Sequence, residues 1–353
     1  MKALKAVIKI VSFTLILTVV MYILSSLAKP DNHNLRNIRG LYGEKENSID
    51  VVCIGGSSTF VYYAPVKSWV DHGIVSYDYA NDSISAELYA PMIREVLKTQ
   101  DPKLIVIDAR AFQYRDLGYW DSQPPNKVSY RNTLTGMKLS LNKIDFIRKN
   151  VGTHIEDKKL SYYFDVITYH DNIVLFNNNT LQMLRGTFRN RFRGFFFIPE
   201  VREMPVPDCS TKEKKAVTPD TQAVLTDLLD YMDSTGRDYL FVIPPYSEIP
   251  EHKMAFNYVQ EIIEQHGYPF LDCNEYVDQM HLDYTTDVYN ECHVNIFGAE
   301  KYTDFLNQYL LSHYDIPDRR GDPAYTFMND YLDDWSREVA ETKEKILTLL
   351  KEE

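Results

Sequence analysis

Ile49-Asp50-Val51-Val52-Cys53-Ile54-Gly55-Gly56-Ser57-Ser58-Thr59 decides how the rest of the chain is read. Its apolar, β-branched first half has no polar alternation, so it reads as a strand buried on both faces. Two glycines stop it and small hydroxyl residues follow, the composition of a tight strand-to-helix turn. A serine placed there stands at the first turn of a helix, where backbone N–H groups lack intrahelical partners and are free to receive an oxyanion.

Working outward, Ile74 to Tyr79 and Lys103 to Ala109 read as further strands. Between them, from Ser83 to Lys98, apolar residues recur at helical spacing. Thr218 to Ser234 reads as an amphipathic helix, Tyr239 to Ile243 as a strand closed by Pro244-Pro245, Lys253 to Gln265 as a helix and Pro269 to Asp272 as a short strand. Such alternation predicts an α/β fold, a three-layer sandwich with a parallel sheet and its site at the carboxyl ends of the strands. The core then comprises 49–112 and 216–314. Residues 113–215 interrupt the rhythm and read as a large insertion after the third strand, with helices at Met137 to Lys149 and Leu160 to Tyr169. Residues 315–353 read as a C-terminal amphipathic helix with Met328, Leu332, Trp335, Val339, Ile346 and Leu350 on its apolar face.

Ile10 to Ala28 carries no charge, and at about 1.5 Å per residue a helix of that length reaches about 28 Å, enough for a hydrocarbon core. The hydroxyls of Ser12, Thr14, Thr18, Ser25 and Ser26 can be satisfied within the helix. We therefore read 1–9 as a cytoplasmic tail, 10–28 as an uncleaved transmembrane anchor and 29–48 as a linker. Lys2, Lys5 and Lys9 before the span place the following domain outside the cytoplasm, although Lys29, Arg36 and Arg39 dilute the asymmetry. The 353 residues are 44% hydrophobic and 25% charged, a globular composition. With 38 basic against 50 acidic residues the net charge is −12, which argues against a nucleic-acid partner. Cys53, Cys209, Cys273 and Cys292 show no CxxC spacing, Gly55-Gly56 lacks the further residues of a nucleotide loop, and no HExxH occurs. Neither metal nor cofactor is expected.

Near the other end, Asn290-Glu291-Cys292-His293-Val294-Asn295-Ile296 places a histidine just before a helix, where it can take a serine proton. In these two blocks the sequence resembles the SGNH, or GDSL-type, hydrolases and acyltransferases. It is most similar to their bacterial membrane-anchored branch, to which the D-alanyl transfer protein of teichoic acids belongs. The resemblance implies Ser57 as nucleophile and His293 as general base. It also implies O-acyl transfer or ester hydrolysis on an acylated glycan or anionic envelope polymer, beside a membrane-bound acyltransferase as partner. Asn290 stands three before the histidine, where the family has Asp. Asp287 or Asp283 of the same loop can replace the missing acid, and we carry Asp287 as the catalytic acid; otherwise the site is a Ser-His pair or has lost catalysis. The family's Asn block is also missing; Arg110 lies near that position and, with Asn81 after the second strand, is a candidate oxyanion donor.

One run departs from the overall charge. No acid occurs from Asn172 to Pro199, yet Arg185, Arg189, Arg191 and Arg193 alternate with phenylalanines. Either the arginines are surface charge over core-facing rings, or Arg189, Arg191 and Arg193 guide an anionic polymer or lipid headgroup to Ser57.

Overall fold

The computed structural model of the chain describes residues 1–116, 125–152, 157–175, 178–246 and 250–352. Val51–Gly55 (β1), Ser76–Ala80 (β2), Leu104–Asp108 (β3), Asp238–Ile243 (β4) and Phe270–Asp272 (β5) form one sheet in the order β2-β1-β3-β4-β5. Every pairing in it is parallel, with Val51 opposite Ser76 on one side and Leu104 on the other. Because successive side chains point to opposite faces, alternate residues feed two cores. Val52, Ile54, Tyr77, Tyr79, Ile105 and Ile107 enter one, and Val51, Cys53, Leu104, Val106, Leu240 and Val242 the other. Burial on both faces is why the strands are continuous apolar runs.

The helices follow their caps. Thr218 accepts the N–H of Thr221 ahead of the helix Pro219–Asp233, and Asn295 accepts that of Phe297 ahead of Ile296–His313. The expected helix from Ser83 is shorter than its apolar spacing suggests. Ser83 sits at φ 55°, Ala86–Leu88 is a 3₁₀ turn, and the α-helix is Tyr89–Val96. Pro91 explains the delay, since it lacks an N–H and is tolerated only in a helix's first turn.

Two sequence boundaries dissolve in the structure. The stretch 29–48, expected as a linker, contains the helix His33–Gly40, which buries Asn37 and Ile38. Tyr77 Oη donates to Asn37 O at 2.8 Å, tying it to β2. The segment 113–215 is no separate body either. Its Tyr130, Leu134, Phe146, Ile147 and Tyr162 join the core on one face of the sheet, and Phe195 joins the other. Among its described residues are the helices Pro125–Gly136, Leu141–Asn150, the latter capped by Ser140, and Asn178–Arg185, and the expected Leu160 to Tyr169 helix divides into Lys159–Tyr163 and Val166–Tyr169. The C-terminal helix is Leu332–Glu352, with Met328 in a preceding 3₁₀ stretch and Trp335 against Phe192, Phe195 and Phe197.

Lys2–Leu27 is a helix of 26 residues with a window of mean hydropathy 2.4, none of that window buried, long and apolar enough to cross a membrane. Thr18, Ser25 and Ser26 hydroxyls bond the carbonyls of Thr14, Met21 and Tyr22 one turn back, as the sequence requires of hydroxyls in an apolar helix. Its last turn docks on the body. Ser25 Oγ accepts the N–H of Val166, and Lys29 Nζ lies 2.8 Å from Asp165.

Candidate active site

The end of β1 leaves little room for side chains. A Cβ on Gly55 would meet Thr59 Oγ1 and would stand 2.6 Å from Asp108 Cβ, so only glycine fits. With Gly56 as its extended N-cap, a short helix Ser57–Tyr62 then begins on the serine.

The histidine arrives from a two-stranded antiparallel ribbon, Val288–Asn290 (β6) and His293–Val294 (β7), in which Asn290 and His293 are direct partners. His293 Nε2 lies 2.7 Å from Ser57 Oγ, and its Nδ1 lies 2.9 Å from Asn290 Oδ1. Cys292 N–H also donates to Asn290 Oδ1, at 2.9 Å. A backbone N–H can only donate, so the Asn290 atom between the two is its oxygen. Nδ1 of the ring then carries the hydrogen, and Nε2 presents its lone pair to the serine hydroxyl. Burial, followed by the positive charge of Arg110, pushes the His293 pKa down to about 4, so the ring is neutral at pH 7.

Two serines adjoin the turn, and the structure separates them. Ser58 is buried and its Oγ donates to Asp108 Oδ2, whereas Ser57 is partly exposed and faces the imidazole. Asp108 also accepts the N–H of Arg110 at 2.9 Å, so it braces the turn after β1 against the turn after β3. The signal for Asp108 in the sequence is only that of an acid ending the strand next to β1, which does not reveal this bracing role.

Asp287 does not serve the imidazole. It is buried, and its Oδ2 accepts the N–H of Asp283 at 2.7 Å and Lys301 Nζ at 2.6 Å. These bonds hold the loop onto helix Ile296–His313. Asp283 in turn accepts the N–H and hydroxyl of Thr285. The ring's partner is therefore Asn290, at the position that by residue type alone reads as a missing acid.

The remaining expected residues divide. Arg110 is buried near the pair, its guanidinium 5.3 Å from the Tyr246 ring and its Nε 3.5 Å from Asp108, and its charge acts on His293. Asn81 is fully buried, its Nδ2 donating to Thr133 Oγ1 and its N–H to Gly55 O, which ties it to the helix Pro125–Gly136. Arg193 is corrected outright as a substrate-binding residue. It is fully buried, bonds Ser76 O at 2.7 Å and pairs with the equally buried Glu44 at 2.6 Å. Arg191 is exposed but engaged by Asp334 at 2.8 Å and Glu338 at 3.6 Å, and Arg189 is exposed beside Gly43 O and the Phe327 ring. These contacts fasten the arginine run to the C-terminal segment.

Cys53 is buried with its thiol pKa raised by that burial, the condition of a core residue. Among the described residues Asp230, Asp233 and His266 bring three ligand atoms within 4.8 Å of one another, but Asp233 is already bonded to His266 and Tyr268. No known family model matches the chain, and no curated protein matches it either.

Proposed function

We propose that the chain is an SGNH-type, membrane-anchored serine enzyme of the cell envelope that transfers or hydrolyses an O-acyl group on a glycan or polymer outside the membrane. The observation that carries this reading is the 2.7 Å approach of His293 Nε2 to Ser57 Oγ, with the ring tautomer fixed by Asn290. Ser57 Oγ attacks the acyl carbonyl while its proton passes to Nε2. The first-turn amides of Ser57 and Ser58 hold the oxyanion, with the Arg110 guanidinium supplying positive charge nearby. Collapse breaks the bond to the departing alcohol, which takes the proton from Nε2, and leaves acyl-Ser57. Water or an acceptor hydroxyl then attacks that ester by the reverse sequence. The apolar helix Lys2–Leu27 supports the membrane location, and the resemblance of the two motif blocks favours transfer, by analogy.

A second reading is a non-catalytic envelope glycan-binding or assembly protein. Asn290 favours it, because an amide leaves the imidazolium of the transition state without a counter-charge. One experiment separates the two. Intact-mass analysis of the full chain after treatment with a serine-reactive phosphonate gives one adduct, absent from Ser57→Ala, if the enzyme reading holds. A folded protein that takes no adduct and cleaves no activated ester leaves the binding reading.

A further inference from the structure

A pocket of about 290 Å³ opens where the apolar helix meets the body. Tyr22 and Ser26, from the end of that helix, form one wall. With Ile10 to Ala28 spanning the hydrocarbon core at about 1.5 Å per residue, Tyr22 and Ser26 lie just inside its outer boundary and Lys29 follows directly at the headgroup level. A helix that spans the membrane therefore holds this pocket where acyl chains meet lipid phosphates.

Among the described residues, the charged ones on the wall are Lys29, Arg39 and Lys138, and no acid lines it. Lys29 is partly neutralised by Asp165 at 2.8 Å. Arg39 Nε is buried without a hydrogen-bond partner among the described residues. Lys138 Nζ stands 4.5 Å from the Tyr42 ring, and the neighbouring acid Glu95 is already bonded to Tyr42, Lys98 and Asn142. Burial, against the attraction of Asp165, pulls the Lys29 ammonium down to about 7, with Arg39 and Lys143 adding to the depression. Burial likewise lowers Arg39 and Lys138. Crowded, desolvated cations of this kind are relieved by one bound anion. Beside them Leu139 and Leu184 line the same pocket and are 47% and 44% exposed, apolar surface of the sort that meets acyl chains rather than water.

We propose that this pocket binds the headgroup of an anionic phospholipid. Arg39 and Lys138 hold the phosphodiester, Lys29 stands behind them, and the acyl chains run past Leu139 and Leu184 along the membrane helix. Arginine suits the role because its planar donors can hold two phosphate oxygens at once. The site is independent of the chemistry at Ser57.

The test uses the full chain, delipidated in neutral detergent, with thermal unfolding followed during titration with dihexanoyl phosphatidylglycerol, dihexanoyl phosphatidylcholine or inorganic phosphate. A saturable upward shift is expected with phosphatidylglycerol alone. Arg39→Gln is expected to weaken its apparent affinity about tenfold and Lys138→Gln severalfold. Arg237→Gln, on a separate surface where the residue pairs with Asp101, leaves it unchanged. Should Arg39→Gln fail to fold, Lys138→Glu, on an exposed side chain, carries the same expectation. An equal response to phosphatidylcholine, or a phosphatidylglycerol shift untouched by the Lys138 variants, overturns the proposal. Inorganic phosphate matching the lipid at equal concentration overturns the lipid assignment and leaves a free-phosphate site.

Discussion

Asn290 Oδ1 accepts from the His293 ring at 2.9 Å while also taking the N–H of Cys292. The amide thus supplies the orientation that a triad carboxylate supplies, without its charge. In a Ser-His-Asp triad, replacing the acid by its amide costs about four orders of magnitude, partly because the ring then takes the wrong tautomer. Here Cys292 prevents that error, so the missing part is the counter-charge.

Asn290→Asp is therefore expected to raise kcat/KM for an activated ester by at least about tenfold, and Asn290→Ala to lower it. The pH profile gives an independent reading. With the His293 pKa near 4, wild-type activity stays flat from pH 7 to about 5 and falls only below that. A carboxylate at 290 favours the imidazolium, so the acid limb of the variant moves to higher pH. An unmoved limb would show that another group titrates.

Asp287→Asn separates scaffold from chemistry. The change breaks the ion pair with Lys301 and weakens the anchoring of the loop, at an expected cost of about 1 to 3 kcal/mol in chemical unfolding. Activity per folded molecule is expected to remain within severalfold of wild type. A loss as deep as that of Ser57→Ala would return Asp287 to the reaction.

Arg193→Gln leaves the buried Glu44 carboxylate without a counter-charge, with the Tyr331 hydroxyl at 3.3 Å as its remaining donor, and a cost of about 3 to 5 kcal/mol is expected. Arg191→Gln breaks pairs that are partly exposed and is expected to cost less than about 1 kcal/mol. Urea midpoints of the two variants check the order, and comparable midpoints would mean that Glu44 finds another partner.

Acid should weaken the fold through two partly buried imidazoles. His33, between Phe60 and Phe196, has its pKa lowered to about 4 by burial first and then by Arg36, as His293 does by burial and Arg110. The unfolded chain, with histidines near 6.5, binds more protons between those values. Their contribution is complete above about pH 6.5 and is lost as the pH falls through about 4. Unfolding free energy measured across that window should decline, and His33→Phe should make the decline shallower. An unchanged slope would remove His33 from the account.

The legible parts of the chain are those with local causes. Val51 to Ile54 announces its strand because both faces are buried, and Gly55 announces the turn because no side chain fits there against Asp108 and Thr59. His293 was legible from its place before the last helix of the sheet domain. What escaped depends on distant partners. Arg193 lies in a basic run, and nothing local shows that Glu44 will meet it in the core. Asn290 looked like a defect because a residue type was compared, whereas the hairpin register puts its oxygen against the ring. Residues 29–48 were read as a linker, yet their Asn37 Nδ2 donates to Gly194 O at 2.9 Å, a partner more than 150 positions away inside the body.

The docking of Ser25 on Val166 and of Lys29 on Asp165 has a mechanical consequence. A loose tether of about twenty residues would let a domain wander over roughly 25 Å. With that slack taken up by the helix His33–Gly40, the body stands on its stalk as a fixed bracket. In a bilayer Ser57 then swings on one arc at one altitude; under the acyl-transfer proposal a donor would have to meet it on that arc, and lengthening the stalk by one helical turn would detune the encounter without touching a reacting atom.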